Sequence, residues 1–298
     1  LRVDHAGMLR WAEALRTHTG CTVGDMPRCL LALANAAPDR YREVLAALQR
    51  DHAARPQAAV QLLSWLNQIG RGADAVPWMR TLPEAGMHRP PLVVAAAEAL
   101  RQAGAWDELQ AWTTAGDWGA DTEFLRWCYG LSAARRLGDV TKADELLRTL
   151  RGRAEVNGAH GLFAAASLYS WDLRQEAVTL WWQVSDLTGP HAIDALGSLA
   201  RHYQLARDAE GQFRTFRRLH SLKPGDRDIA NNYAFFAALV DRDPRQADQL
   251  SRDNLRAEPN NLNYVATAAF VMLQSGRGDE ALNLLSATMG TAYGAFIP

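Results

Sequence analysis

Lysine is almost missing from this chain. Lys142 and Lys223 stand against 30 arginines, and with 33 acidic residues the net charge is −1. A general polyanion binder needs a basic excess to displace counterions, so near-neutrality argues against a nucleic-acid role. Cysteine is scarce as well. Cys21, Cys29 and Cys128 are too few for a disulfide scaffold. Cys21 and Cys29 can pair, or can join His5 and His18 at a metal, but their spacing matches no zinc pattern; buried thiols are the expectation. Long hydrophobic runs are lacking too. The longest, such as Ala234–Val240, fall well short of the roughly 18 residues a membrane helix needs. The arginine excess has two open accounts. It fits the alanine-rich usage of a GC-rich bacterial genome, or a choice of planar forks for carboxylate and phosphate.

The signatures of catalysis are absent too. There is no Gly-x-x-x-x-Gly-Lys loop, no Gly-x-Ser-x-Gly elbow, no His-Glu-x-x-His and no Cys-x-x-Cys. The 8 histidines are scattered. The acidic pairs Asp107-Glu108, Asp144-Glu145 and Asp279-Glu280 lie where second helices should begin, and there they favour the positive end of the helix dipole. No catalytic residue, metal site or cofactor is therefore expected. The chain begins at Leu1, without Met and without a signal peptide, so a trimmed segment is expected and the compartment, cytoplasm or periplasm, stays open.

What the chain does have is an echo. Ala75, Leu109, Ala143, Ala177, Gln212, Ala247 and Ala281 follow one another at 34, 34, 34, 35, 35 and 34 residues. A glycine sits five residues before four of them, at Gly70, Gly104, Gly138 and Gly276. A period of this size signals a repeat architecture. In the clearest unit Phe124, Trp127, Cys128, Leu131 and Ala134 recur at three- and four-residue steps, as on a helix with one buried stripe. Leu137-Gly138-Asp139 breaks the pattern, and Ala143, Leu146, Leu147 and Leu150 resume it. This spacing predicts an αα-hairpin with a glycine at the turn, where a positive φ costs glycine little. Asp172 with Gln175, and Asp243 with Pro244 and Gln246, are expected to cap second helices. The small residue at each echo position is expected where two helices cross closely. Leu109 and Gln212 break that rule, and their hairpins are expected to be splayed or shifted.

Pro259-Asn260-Asn261, followed by Gln274-Ser275-Gly276-Arg277-Gly278-Asp279-Glu280-Ala281-Leu282, resembles the tetratricopeptide repeat, or TPR. Leu222-Lys223-Pro224-Gly225-Asp226 is similar to the same loop one unit earlier. The resemblance runs from about Arg55 to Met289, and Trp127 matches the family's aromatic in the first helix where Val93 and Val265 do not. It implies an all-α, right-handed α-solenoid of stacked antiparallel helix pairs. The expected division is a helical cap or degenerate repeats over 1–54, then about seven repeats over 55–298, the last followed by an incomplete segment. Asp4–His18, carrying Met8, Leu9, Trp11, Ala12 and Leu15 on its stripe, and the pair Pro27–Asn35 and Pro38–Arg50 are the helices expected in the cap.

The resemblance also implies a binding surface on the first helices. The residues it points to are Arg101, Arg135, Arg136, Arg201, Gln204 and Asn232, suited to an acidic peptide or protein. The lysine–asparagine carboxylate clamp of chaperone-binding relatives has no counterpart here. The expected function is a non-catalytic protein-interaction scaffold. The rivals are an accessory segment of a larger enzyme or envelope assembly and, against the charge balance, a helical-repeat RNA binder. Trp181-Trp182 add one expectation: neighbours on a helix point about 100° apart, so one of the two must lie off the core.

Overall fold

A computed structural model describes residues 4–20, 22–83, 87–115 and 118–294. The described residues form helices and no strand. The chain divides into two units, Leu1–Gly152 and Arg153–Pro298. In the first lie α1 (His5–Thr17), α2 (Met26–Ala36), α3 (Pro38–His52), α4 (Pro56–Gln68), α5 (Val76–Met79), α6 (Leu92–Ala103), α7 (Trp106–Thr114) and α8 (Glu123–Leu137). α9 (Val140–Val156) begins in the first unit and ends in the second. The second holds α10 (Gly158–Ser170), α11 (Arg174–Ser185), α12 (Pro190–Ala206), α13 (Ala209–Leu222), α14 (Arg227–Leu239), α15 (Pro244–Ala257), α16 (Leu262–Gln274) and α17 (Gly278–Gly294). Consecutive helices pack as antiparallel pairs, and α14 also packs on α16, α10 on α12 and α6 on α8. This is an all-α solenoid built of stacked hairpins. Within the first unit, α3 of the region expected to be a cap or degenerate repeats packs on α4.

One device closes the first helix of all seven hairpins that carry the echo. An amide donates back to a carbonyl five residues earlier: Arg71 to Leu66, Ala105 to Leu100, Asp139 to Ala134, Leu173 to Leu168, Asp208 to Tyr203, Arg242 to Ala237 and Arg277 to Met272, at 2.7–3.0 Å. The residue before each donor has positive φ. Four are the glycines Gly70, Gly104, Gly138 and Gly276, and three are Asp172 (φ 65°), Arg207 (54°) and Asp241 (54°). This is the six-to-one bond that satisfies the orphan carbonyls of a helix end. Asp172 is therefore not the cap of the next helix. It fills the left-handed position, and Leu173 takes the cap position without a side-chain bond. Asp243 does precede α15, but its carboxylate accepts from the Tyr233 hydroxyl at 2.8 Å and caps no amide. Other starts are capped as their sequence suggests: Asn157 accepts from the His160 amide, Asp208 from Gly211, Asp226 from Ile229 and Asn261 from Asn263, at 2.9–3.1 Å.

The echo residues are core residues. Ala75, Leu109, Ala143 and Ala177 are wholly buried, and Ala247, Gln212 and Ala281 nearly so. Ala75 departs in one respect: it sits in a 3-10 turn, Gly72–Ala75, and the helix after it is only the four residues of α5. Pro77 suits that helix's first turn, and Pro83 biases Leu82 against helix, so no long second helix forms. Gln212 does not splay its hairpin, because its side-chain NH2 donates across to the Ala200 carbonyl of α12 at 2.7 Å. The crossing is also close at Gly161. A Cβ there would stand 2.5 Å from Val184 Cγ2 and 2.7 Å from Ala154 Cβ.

One stripe differs from expectation. On α1 only Ala12 is buried, and Trp11 is 48% exposed. Of the adjacent tryptophans, Trp181 is buried against Tyr169, ring centroids 5.0 Å apart, and Trp182 is half-buried, its indole N–H donating to the Tyr203 hydroxyl at 2.9 Å. Cys29 and Cys128 are buried, while Cys21 lies outside the described residues, as do 295–298 of the segment expected after the last repeat. Among the described residues no group of His, Cys, Asp and Glu is placed to hold a metal, and no helix is long and apolar enough to cross a membrane.

Candidate partner-binding surface

First helices of successive hairpins lie side by side, so residues about one period apart meet. In the first unit this produces a polar chain across α4, α6 and α8. The Glu98 carboxylate accepts from Arg101 at 2.7 and 2.9 Å, from Gln102 at 2.8 Å and from the Tyr129 hydroxyl at 3.2 Å. Gln102 also donates to the Asn67 carbonyl at 3.0 Å and accepts from the Gly72 amide at 2.9 Å, while Asn67 donates to the Ala95 carbonyl at 2.8 Å. Burial first, then the Glu98 charge, pushes the Tyr129 phenol well above its ordinary range. The same pairing recurs as Tyr41 to Asp74 at 2.8 Å and, in the second unit, Tyr264 to Asp228 at 2.9 Å. Each phenol is raised, chiefly by burial and then by the carboxylate that accepts its proton; Tyr264 reaches about 12.

The six residues assigned to partner contact fall into different settings. Arg101 is tied to Glu98 on its own helix, and Arg135 pairs with Asp144 of α9 at 3.0 Å. Arg136 is exposed, its guanidinium 5.8 Å from the centre of the Trp106 ring. Those three belong to the first unit. Arg201, Gln204 and Asn232 belong to the second, where Arg201 and Gln204 are exposed on α12. The structure thus ties two of the arginines to nearby carboxylates and places Asn232 in a groove.

That groove runs between α14 and α16 and encloses about 520 Å³. Asp228, Asn231, Asn232 and Phe235 line it from α14, and Asn263, Ala266 and Thr267 from α16. The helical steps place them: 228, 231, 232 and 235 share one face, as do 263, 266 and 267. Asp228 is already engaged by Tyr264, which leaves a wall of carboxamides and one hydroxyl around a half-buried phenyl ring. Asn231 is 9% exposed, and its side-chain carbonyl oxygen is buried with no hydrogen-bond partner. Two other buried carboxamide oxygens share that state, on Asn67 and Gln212, but each of those side chains is anchored through its NH2. A buried carbonyl left unpaired costs about 1–3 kcal/mol. Asn231 was not singled out by the sequence, although its place one turn from Asp228 and Phe235 was readable.

A second missed group lies on α13. Arg214, Arg217 and Arg218 follow one another at the three- and four-residue steps of one helix face, a signal visible in the sequence.

The tetratrico peptide repeat family model matches residues 30–114, which hold α3 to α7. With the hairpin device above, this match supports a TPR-like repeat protein. No curated protein matches the sequence. Among solved structures, the human IFIT1 dimer with m7Gppp-AAAA aligns at 14% identity over 97% of this chain and 77% of that chain, with a TM-score of 0.34. The TPR domain of P58(IPK) aligns at 13% identity over 96% of this chain and 92% of that chain, with a TM-score of 0.23. At these scores no function passes from either structure to this chain.

Proposed function

We propose that this protein is a non-catalytic interaction scaffold that holds an extended peptide segment of a protein partner in the groove between α14 and α16. The observation that carries the proposal is the groove lining itself, the carboxamides of Asn231, Asn232 and Asn263 with the Thr267 hydroxyl around Phe235. A peptide backbone presents N–H donors and C=O acceptors in alternation, and carboxamides meet both. Such a site recognises main chain, with side-chain preference left to the pocket over Phe235. A repeat surface that is preformed loses little order on binding. Half-buried Asn232 and exposed Asn263 add reach to the same peptide.

Selection of displayed random peptides on the intact protein tests this. The expected outcome is a set of peptides whose affinity falls about tenfold or more in the Asn231→Leu and Asn263→Ala variants. Peptides that bind both variants as well as the unaltered protein would place the site elsewhere and contradict the proposal.

A further inference from the structure

Several arginines of this molecule are spent on neighbouring carboxylates: Arg16 and Arg40 on Glu13, Arg80 on Glu108, Arg126 on Glu123, Arg252 and Arg277 on Asp248. The face of α13 is different. Arg214, Arg217 and Arg218, with Arg245 from the first turn of α15, form no ion pair among the described residues. They line two grooves that share Arg217. One, of about 410 Å³, lies beside Trp182 and Asp186. The other, of about 700 Å³, lies beside His220, Tyr233 and Asp243.

We infer that this arginine face docks an acidic peptide segment of a protein partner, its carboxylates taken up by the guanidinium forks of Arg214, Arg217 and Arg245. The fourth arginine is the builder of the site. Arg218 donates to the carbonyls of Ser185, Asp186 and Leu187, at 3.0–3.3 Å, where α11 ends. That bond set anchors α13 against the end of α11 and leaves the other three exposed. Each of the two lining carboxylates is a weak competitor. Asp243 already accepts from Tyr233, and Asp186 is exposed to solvent. The start of α15 adds the positive end of a helix dipole beside Arg245.

The geometry favours a short acidic peptide over a nucleic acid. From 214 to 221 the helix rises about 10 Å, the length of about three extended residues. Arg214 stands over the Trp182 ring at 4.7 Å, and the indole N–H is engaged by Tyr203, so the aromatic face on which a base would stack is covered. Asp186 and Asp243 interrupt the positive field that a continuous phosphate backbone would follow. Arginine forks against carboxylates also carry geometry that a diffuse polyanion contact does not need. The face shares no lining residue with the α14–α16 groove, so the two sites can be tested separately.

The experiment is fluorescence anisotropy with three labelled probes: a six-residue glutamate peptide, its glutamine counterpart and a single-stranded RNA six nucleotides long. The expected result is binding of the glutamate peptide that the glutamine peptide does not share. Its affinity should fall about tenfold in an Arg217→Gln, Arg245→Gln double variant, which keeps the Arg218 bonds to the end of α11, and fall again with added salt. Asn231→Leu should leave it unchanged. Equal binding of the two peptides, an unaltered affinity in the double variant, or tighter binding of the RNA would each overturn the inference.

Discussion

Left-handed backbone at a residue with a side chain is the most local tension in this fold. Seven hairpins need that conformation at the end of the first helix, and glycine supplies it in four. Aspartate tolerates it through short-range hydrogen bonds, which suits Asp172 and Asp241. Arg207 has no such help and is exposed, so nothing in its packing offsets the strain. Arg207→Gly should therefore raise stability by about 0.5–1 kcal/mol, the relieved strain outweighing the entropy glycine adds to the unfolded chain. Urea unfolding checks this, and a destabilised variant would contradict it. The same contrast says what was legible at this scale. Gly70, Gly104, Gly138 and Gly276 announced their turns because their type matches the need. Asp172 and Arg207 hide the need behind ordinary residues, and Asp172 read as a cap because aspartate is also a favoured capping residue.

At the scale of elements, stripes and breaks located the helices well, because burial on one face imposes a 3.6-residue period on any sequence that folds this way. They failed where the period was too short to constrain. Four residues of α5 carry no stripe, and α1 buries a single residue, so Trp11 faces solvent. Crossing distance was legible from the small echo residues but not from Gly161, which lies in the middle of α10 and reads as a poor helix former. Its reason is contact with α9 and α11. Gly161→Ala gains up to about 1 kcal/mol of helix propensity. It must also force a methyl group toward Val184 and Ala154, and overpacking of this kind costs about 1–3 kcal/mol. The expected sum is a loss of roughly 1 kcal/mol, read from thermal or denaturant melts. A variant as stable as the parent would show that α10 and α11 can separate freely.

Across the whole molecule, buried phenols paired with carboxylates recur from Tyr41 to Tyr264, and they couple stability to pH on the alkaline side. A tyrosine whose folded pKa is raised contributes stability fully below its unfolded value, about 10, and loses it as pH climbs toward the folded value. Tyr264 moves from 10.0 to about 12, and Tyr41, Tyr129 and Tyr233 are raised as well, each mainly by burial. The melting temperature should hold steady up to about pH 9 and fall above about pH 10, together with the rise of tyrosinate absorbance. Free titration near pH 10 without any loss of stability would contradict the pairing.

The repeat and its helix pairs were legible over most of the chain, since they are written in spacing. The binding surface was legible only in outline. Which residues of two first helices meet depends on how the hairpins stack, so Asn232 was named from the sequence and Asn231, which lines the same groove, was not. Charge was misleading for a related reason. Arg101 and Arg135 look available in the sequence, and their partners Glu98 and Asp144 are revealed only by packing.

Asn231 is the residue on which the proposed function turns, and one comparison tests it most directly. Calorimetric titration of a selected peptide into the parent protein and into Asn231→Leu should show binding lost, while the variant melts higher. Leucine removes the unpaired carbonyl and keeps the volume, which should add about 1 kcal/mol of stability. Equal affinity for the peptide in both proteins, or a variant that binds and is less stable, would contradict the account.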